Sequence, residues 1–199
     1  MEDSTSLYNL TWKYNLHCSS QLLISSFGML FFTGFAVGSF FIPANSDKYG
    51  RKLVLIGCLT LQLFTIASML MVPVGPQEFE SMYINYFVFL FFLFGVCTSG
   101  RVAIGFVYFC EFAPAKYHNI MGTIMNISEG MIYIYLTLYF YYGGKNWEVP
   151  VKFSLFLTTL GLAMVSRMPE SPKWLFNQKR YKECHSVLIE MLYLNKNTK

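Results

Sequence analysis

A short charged stretch between two long apolar runs decides the fold of this chain. It consists of residues 45–52, Asn45-Ser46-Asp47-Lys48-Tyr49-Gly50-Arg51-Lys52. The runs on either side, residues 21–44 and 53–75, contain no charged residue. An α-helix needs about 20 apolar residues to cross the roughly 30 Å hydrocarbon core of a bilayer, so each run is long enough to span it. The charged stretch is therefore predicted to be a turn at a membrane face, and the chain to be a polytopic membrane protein.

Composition favours the same conclusion. Of 199 residues, 54% are hydrophobic and 19% are aromatic, whereas only 13% are charged. The charged share is about half of what soluble domains carry. The 15 Lys and Arg residues outnumber the 11 Asp and Glu residues, but they fall in particular loops and form no basic face. The lipid bilayer is therefore the predicted partner, and nucleic acid is not.

The apolar runs predict five membrane helices. These cover residues 21–44, 53–74, 83–110, 119–141 and 151–168. Only helices and closed barrels satisfy the backbone in lipid, and the runs are too long for barrel strands. The predicted fold class is all-α, a polytopic membrane helix bundle of about five transmembrane helices plus an amphipathic cytosolic helix. It divides into an extracytosolic segment 1–20, the bundle 21–168, and a cytosolic helix and tail 169–199.

The cations predict the orientation of these spans. One side of the predicted membrane holds three of them, Lys13, Lys145 and Lys152. The other side holds eleven: Lys48, Arg51, Lys52, Lys116, Arg167, Lys173, Lys179, Arg180, Lys182, Lys196 and Lys199. Because cytosolic loops are enriched in Lys and Arg, the second set is predicted to be cytosolic and the N-terminus external. The pattern does not distinguish a plasma membrane from an organelle membrane.

The tail beyond the fifth span contains a predicted helix start. Ser171 followed by Pro172 is typical of an N-cap with proline at the first helical position. Apolar residues then recur at broadly helical spacing, namely Leu175, Tyr181, Cys184, Leu188, Met191 and Leu192. This pattern predicts an amphipathic helix against the membrane face or a neighbouring helical domain. A solvated tail is the alternative.

Two charged residues, Arg101 and Glu129, lie deep inside apolar runs. Charges at bilayer depth are costly and usually pair with one another or face an aqueous path. At 1.5 Å per residue, both are predicted to lie about 15 Å from the cytosolic face. They are therefore candidates for an ion pair between two helices, and equally for a substrate or proton role.

No pattern in the chain indicates enzyme chemistry. The sequence contains no nucleophile–base set and no phosphate-binding loop. Its five cysteines, Cys18, Cys58, Cys97, Cys110 and Cys184, lack the spacing of a zinc site. The sequence therefore predicts no catalytic residue, no metal and no cofactor.

Three motifs resemble those of the major facilitator superfamily, on its organic cation/anion transporter and sugar-porter side. Residues 47–52, with Gly38 ahead of them, are similar to the signature between the second and third helices of that superfamily. Glu111-Phe112-Ala113-Pro114 is similar to the E-x-x-P at the cytosolic end of helix four. Residues 169–175, Pro-Glu-Ser-Pro-Lys-Trp-Leu, are similar to the segment after helix six. The motifs occur in the family's order, and the resemblance covers nearly the whole chain.

The resemblance implies an arrangement and a set of roles. The five spans correspond to helices two to six, an incomplete N-terminal half. One position departs from the family, since Phe91 stands where helix four usually carries an arginine. In the family, the cluster at the cytosolic helix ends acts as a conformational latch that favours the outward-open state. That role falls here on Gly38, Asp47, Gly50, Arg51, Lys52, Glu111 and Glu170.

Three functional hypotheses follow. The first is a transmembrane solute transporter of the organic ion or sugar class, of which this chain is a half that does not transport alone. A small-molecule solute, and possibly another chain that supplies the second half, would then be its partners. The alternative is a non-transporting scaffold or accessory subunit with a half-transporter fold. The third is a truncated product without independent activity.

Overall fold

The computed structural model describes residues 21–72 and 80–196, which form seven α-helices. These are α1 (Gln21–Tyr49), α2 (Arg51–Met71), α3 (Glu80–Phe112), α4 (His118–Leu138), α5 (Glu148–Arg167), α6 (Pro172–Asn177) and α7 (Tyr181–Lys196). A 3₁₀ turn (Ala115–Tyr117) precedes α4, and a π-helical turn (Tyr139–Gly143) follows it. The predicted extracytosolic segment 1–20 lies outside the described residues.

Four of the helices are long and apolar enough to cross a membrane, namely α1, α2, α3 from Met82 onward, and α5. The prediction of an all-α membrane helix bundle is confirmed. Helix α4, the fourth predicted span, has 21 residues but does not belong to this set. Its polar residues, including Asn119, Asn126 and Glu129, make it less apolar than its neighbours.

Small residues bring α1 and α3 into backbone contact. A Cβ atom on Gly34 would lie 2.1 Å from the Phe92 carbonyl oxygen, and one on Gly95 would lie 2.1 Å from the Phe31 carbonyl oxygen. Ser39 Oγ and Ser99 Oγ are 2.9 Å apart and share a hydrogen bond across the same seam. The two helices therefore pack in the close manner that small residues permit in membranes.

Helix α2 packs against both α3 and α5. One buried cluster joins the three helices through Leu55, Leu59, Ile104, Tyr108 and Val165. This cluster fixes the end of the bundle where α1 turns into α2.

Helix α4 is exposed over most of its length. It meets α3 near its start, where the Phe106 ring lies against Gly122. Near its other end Tyr135 packs against Phe153 of α5, with ring centroids 5.3 Å apart. The middle of α4, around Glu129, is exposed.

The turn between the first two spans is shorter than predicted. Helix α1 continues through Pro43 to Tyr49, and Gly50 alone separates it from α2. A proline inside a helix lacks one backbone donor and also crowds the preceding turn. Beyond it the Ser46 hydroxyl donates to the Pro43 carbonyl at 2.8 Å, and the Asn45 amide donates to the Phe41 carbonyl at 3.0 Å. Pro43 therefore lies inside α1 and does not end it.

The tail folds into two helices where the sequence suggested one. Helix α6 begins with the predicted cap, because the Ser171 side chain accepts from the Trp174 backbone N–H at 3.2 Å and Pro172 follows at the first position. Lys179, at φ 60°, lies between α6 and α7. Cys184 and Val187 of α7 are buried against Trp174 and Leu175 of α6.

Candidate functional site

Gly50 makes the tight connection between α1 and α2 possible. Its φ of 111° and ψ of 148° lie in a region that L side chains rarely adopt. Its backbone N–H donates to the Ser46 carbonyl at 3.1 Å. A Cβ atom here would also lie 2.6 Å from Glu170 Oε2. Both the backbone and the space around it therefore require glycine.

The Arg51 guanidinium joins three helix ends. Nη1 donates to the Ser46 hydroxyl at 2.8 Å and to the Asp47 carboxylate, both near the end of α1. Nε donates to Glu111 Oε1, at the end of α3, at 3.4 Å. An anion such as Asp47 is unfavourable at a helix C-terminus, and Arg51 offsets its charge there. Asp47, Arg51, Glu111 and Glu170, arranged around Gly50, are called the turn cluster below.

Glu170 holds the start of α2. Its Oε1 accepts from the Lys52 backbone N–H at 3.0 Å and from its neighbour Ser171 N–H at 3.0 Å. The first N–H groups of a helix have no partner within that helix, and a carboxylate there is also favoured by the helix dipole. Lys52 therefore contributes a backbone donor to the turn cluster through this bond.

Three residues that the sequence analysis did not single out complete the arrangement. The Trp174 indole N–H donates to the Asp47 carbonyl at 2.9 Å and so satisfies an end group of α1. The buried Tyr108 hydroxyl donates to the Pro169 carbonyl. The third is Ser46, which bonds Arg51. The Trp at a fixed place in the 169–175 motif was an available signal, whereas Tyr108 is one of several hydroxyl residues on α3.

Gly38 lies away from the turn cluster. It is twelve residues before Gly50, about 18 Å along α1. A Cβ atom on it would lie 2.9 Å from the Val96 carbonyl oxygen and 3.1 Å from Ser99 Cβ. Gly38 therefore belongs to the seam between α1 and α3, and the structure does not bring it to the charged residues.

A cavity of about 470 Å³ opens beside Glu111. His118 and Lys173 contribute to its lining, together with Phe106 and Cys110. The Glu111 side chain is only 8% exposed. Its Oε2 is buried and has no hydrogen-bond partner in the described part of the chain. The turn cluster thus contains one acceptor without a partner among the described residues.

Arg101 and Glu129 lie on neighbouring helices without forming a pair. Glu129 is exposed on α4, whereas Arg101 is partly buried on α3. Within residues 21–72 and 80–196, however, no salt bridge of 4.0 Å or less joins them. The ion pair predicted from the sequence is not formed among the described residues of this structure.

Comparison with a solved structure identifies the fold. The xylose transporter XylE from E. coli, in a partially occluded inward-open conformation, shares this fold with a TM-score of 0.71 and 18% sequence identity. The match covers 85% of this chain and 43% of that chain. The chain therefore has the fold of that transporter, and its long apolar helices are those of an integral multi-pass membrane protein.

The sequence comparisons identify the family. Residues 2–198 match the model of the sugar (and other) transporter family, and the chain belongs to that family. It is 26% identical, over 95% of its length, to solute carrier family 22 member 4 of Mus musculus. It is 28% identical, over 92% of its length, to organic cation/carnitine transporter 2 of Homo sapiens. The chain spans about a third of each of these relatives, 32% and 31%.

Proposed function

We propose that this chain supplies helices of the first bundle of a solute transporter, and that the turn cluster is its conformational latch on the cytosolic side. The observation that carries the proposal is the convergence on one turn of Arg51, Glu170 and Trp174. Together they join the end of α1, the start of α2 and the end of α3. Contacts of this kind hold three helix ends in one arrangement.

Alternating access gives such contacts a function. Transporters of this type expose a midplane site to each side in turn by rocking one helical bundle against another. A state that keeps a bond is stabilised relative to a state that loses it. The unpartnered Glu111 Oε2 offers a place for a cationic side chain from the second bundle. We therefore expect the latch to close when that cation enters the cavity beside Glu111.

The relatives favour an organic cation as the solute over a sugar. Proteins named as organic cation or carnitine transporters match this chain over 92% of its length or more. The xylose transporter has lower sequence identity and supports the fold. A second helical bundle, whether in another chain or in the same polypeptide, completes the transporter in this proposal.

A chimaera tests the proposed function. Residues 21–196 replace the matching segment of the human organic cation/carnitine transporter 2, and uptake of a labelled organic cation and of labelled carnitine is measured in cells. We expect saturable uptake of one of them. We also expect Arg51→Ala to reduce that uptake, whereas Lys152→Ala, which removes an exposed lysine paired with Glu148, leaves it unchanged. A chimaera that reaches the cell surface and transports neither solute contradicts the proposal and supports the scaffold alternative.

The chain by itself gives a complementary measurement. Reconstituted in liposomes, it should show no saturable uptake of cations, anions or hexoses, since its helices form only one wall of a solute path. Saturable uptake above that of empty liposomes would show that copies of this chain assemble a complete path.

A further inference from the structure

Helix α7 carries exposed apolar side chains although it is not one of the helices that can span a membrane. Each of these side chains is at least 44% exposed: Tyr181, Leu188, Ile189, Leu192 and Tyr193. Lipid accounts for the exposed apolar residues of α1, α2, α3 and α5, because those helices are long and apolar enough to cross a bilayer. A contiguous apolar surface outside such a span marks an interaction site. The exposed surface of α7 therefore indicates a binding partner.

The packing of α7 holds it beside the ends of membrane helices. Cys184 and Val187 belong to the buried cluster that α7 shares with α6, and Phe112, the last residue of α3, packs against the same cluster. Trp174 of α6 in turn donates to the Asp47 carbonyl near the end of α1. Helix α7 thus lies at the membrane face where the cations predict the cytosol.

The exposed surface of α7 is divided into three rows by the helical repeat. Residues seven or eleven positions apart share a face, because they are separated by about two or three full turns. The row beside the buried face consists of Tyr181, Leu188 and Leu192, and the next row consists of Lys182, Ile189 and Tyr193. The third row contains the two glutamates of the helix, Glu183 and Glu190. The exposed apolar residues therefore lie together with a lysine, and the acidic residues lie on the other flank.

Two lysines border the apolar rows without a carboxylate partner. Lys179 and Lys182 are exposed, and neither is in a salt bridge of 4.0 Å or less within residues 21–72 and 80–196. The neighbouring Arg180, by contrast, pairs with Glu183 at 2.6 Å. Both lysines are thus available to an anionic partner.

The sequence pattern alone predicts either the membrane face or a neighbouring helical domain for this helix, and the rows distinguish the two. Lysine is depleted in protein–protein interfaces, whereas helices that lie in the plane of a membrane carry lysine beside aliphatic and aromatic residues. Lys182 shares its row with Ile189 and Tyr193, and its methylene groups can lie on apolar surface while the ammonium group reaches a headgroup. The rings of Phe176 and Tyr181, with centroids 5.5 Å apart at the start of α7, add the aromatic residues typical of membrane interfaces.

We propose that α7 lies on the cytosolic leaflet, with its two apolar rows among the lipid headgroups and with Lys179 and Lys182 binding anionic phospholipid. The surface is separate from the turn cluster and from any solute path, so the inference goes beyond the proposed function. Because the cytosolic leaflet carries the anionic lipids, the charge of that leaflet controls how firmly α7 is held.

Spin labels on α7 test its depth in the membrane. The label is attached to Leu192→Cys in the full chain without its own cysteines, in nanodiscs of phosphatidylcholine with one-third phosphatidylserine. Power-saturation EPR then measures collisions with oxygen, which partitions into lipid, and with a nickel chelate, which stays in water. We expect oxygen to reach the Leu192→Cys label more readily than the chelate does, and the reverse for the matched control Glu190→Cys in the acidic row.

Two results of this measurement would overturn the inference. The first is a Leu192→Cys label that the chelate reaches as readily as it reaches the Glu190→Cys label, which would place the row in water. The second is a label shielded from both reagents, which would show that a second copy or another protein domain covers the row. If Leu192→Cys does not fold, as judged by circular dichroism, Leu188→Cys lies in the same row and gives the same comparison.

Lipid charge and lysine charge are tested together in the same nanodiscs. Oxygen should reach the Leu192→Cys label less readily in phosphatidylcholine alone than with phosphatidylserine present. With phosphatidylserine, Lys179→Gln and Lys182→Gln should each lower the ratio of membrane-bound to free α7 about fivefold. Lys152→Gln, at an exposed lysine of α5, should leave that ratio unchanged. Equal accessibility in the two lipids, or no effect of the α7 lysines, would overturn the assignment to anionic phospholipid.

Discussion

Both the backbone conformation of Gly50 and the close approach of Glu170 restrict this position to glycine. One substitution tests both. The φ of 111° and ψ of 148° at Gly50 lie in a region essentially restricted to glycine, where another residue costs about 1–3 kcal/mol. A Cβ atom would also meet Glu170 Oε2 at 2.6 Å. We predict that Gly50→Ala lowers the free energy of unfolding by at least the cost of the backbone strain, measured by thermal unfolding in detergent.

Gly57 is the matched control for this substitution. It lies within α2, and a Cβ atom there meets nothing within 4 Å. Because alanine has a higher helix propensity than glycine, Gly57→Ala should be neutral or stabilising. Equal melting temperatures for the two variants would show that the turn tolerates a side chain.

Glu170 is the second test at the residue scale. Its carboxylate accepts from the N–H groups of Lys52 and Ser171. Hydrogen bonds to charged groups contribute about 1.5–3 kcal/mol each, so Glu170→Ala should lower the melting temperature clearly. Glu170→Gln keeps a carbonyl acceptor and should lower the melting temperature less than Glu170→Ala does.

The control for Glu170 is Glu183→Ala. Glu183 forms an exposed pair with Arg180 at 2.6 Å. Exposed pairs contribute about 0–1 kcal/mol, so this change should be small. If Glu170→Ala lowers the melting temperature as little as Glu183→Ala does, the hydrogen bond from Glu170 to the start of α2 does not stabilise the fold.

Some side-chain contacts could be predicted from the sequence and others could not, and each outcome has a physical reason. Asp47 and Arg51 could be linked in advance, because a helix C-terminus disfavours an anion and a nearby cation offsets it. The predicted pair of Arg101 and Glu129 was not formed, since matched depth does not fix how far apart two helices stand. Trp174 was missed because its partner, the Asp47 carbonyl, lies 127 residues earlier in the chain.

At the scale of elements, the seam between α1 and α3 depends on glycines. Gly34 and Gly38 are four residues apart, as are Gly95 and Ser99 opposite them, which is the spacing of close-packed membrane helices. We predict that Gly34→Ala and Gly95→Ala each destabilise the bundle by about 1–3 kcal/mol or more, because a backbone carbonyl must move away. Size-exclusion profiles and melting temperatures in detergent measure the effect.

Two glycines outside the seam serve as controls. A Cβ atom on Gly28 of α1 or on Gly161 of α5 meets nothing within 4 Å. The corresponding alanine variants should elute as the parent chain does. Aggregation of these variants to the same degree would mean that helix propensity, and not the seam, governs the response.

The presence of the helices was easier to predict than the residues at which they end. Apolar runs long enough to span a membrane identified the helices, because lipid allows the backbone few other solutions. The end of α1 could not be read from Pro43, since the helix passes through this proline and ends at Tyr49. Interactions of this local kind leave little trace in the hydropathy pattern.

At the scale of the whole molecule, the orientation in the membrane remains a prediction that labelling can test. Lys116 and Tyr142 are exposed and lie near opposite ends of α4. We predict that Lys116→Cys and Tyr142→Cys, in a chain without its own cysteines, react with an impermeant maleimide from opposite sides, Lys116→Cys from the cytosol. Reaction of both positions from the same side would contradict the orientation drawn from the cations.

The fold class and the family followed from motifs in their order along the chain, and the resemblance grouped Glu170 with Gly50 in one cluster. The atoms that meet in that cluster did not follow from it. The contact there combines a carboxylate, an indole and two backbone groups from distant parts of the chain. The sequence around each of these groups does not indicate its partner.

The bond between Glu170 and the start of α2 has a consequence for biosynthesis. Its two partners are separated by 118 residues. A ribosome that adds about 5–20 residues per second needs roughly 6–24 s to synthesise that interval. During this time α1 and α2 are already made, but their shared corner lacks its cap and the carbonyl of Asp47 lacks its indole partner. The hairpin of α1 and α2 therefore lacks these two contacts until residues 170–174 have been synthesised. Insertion factors encounter the hairpin without them.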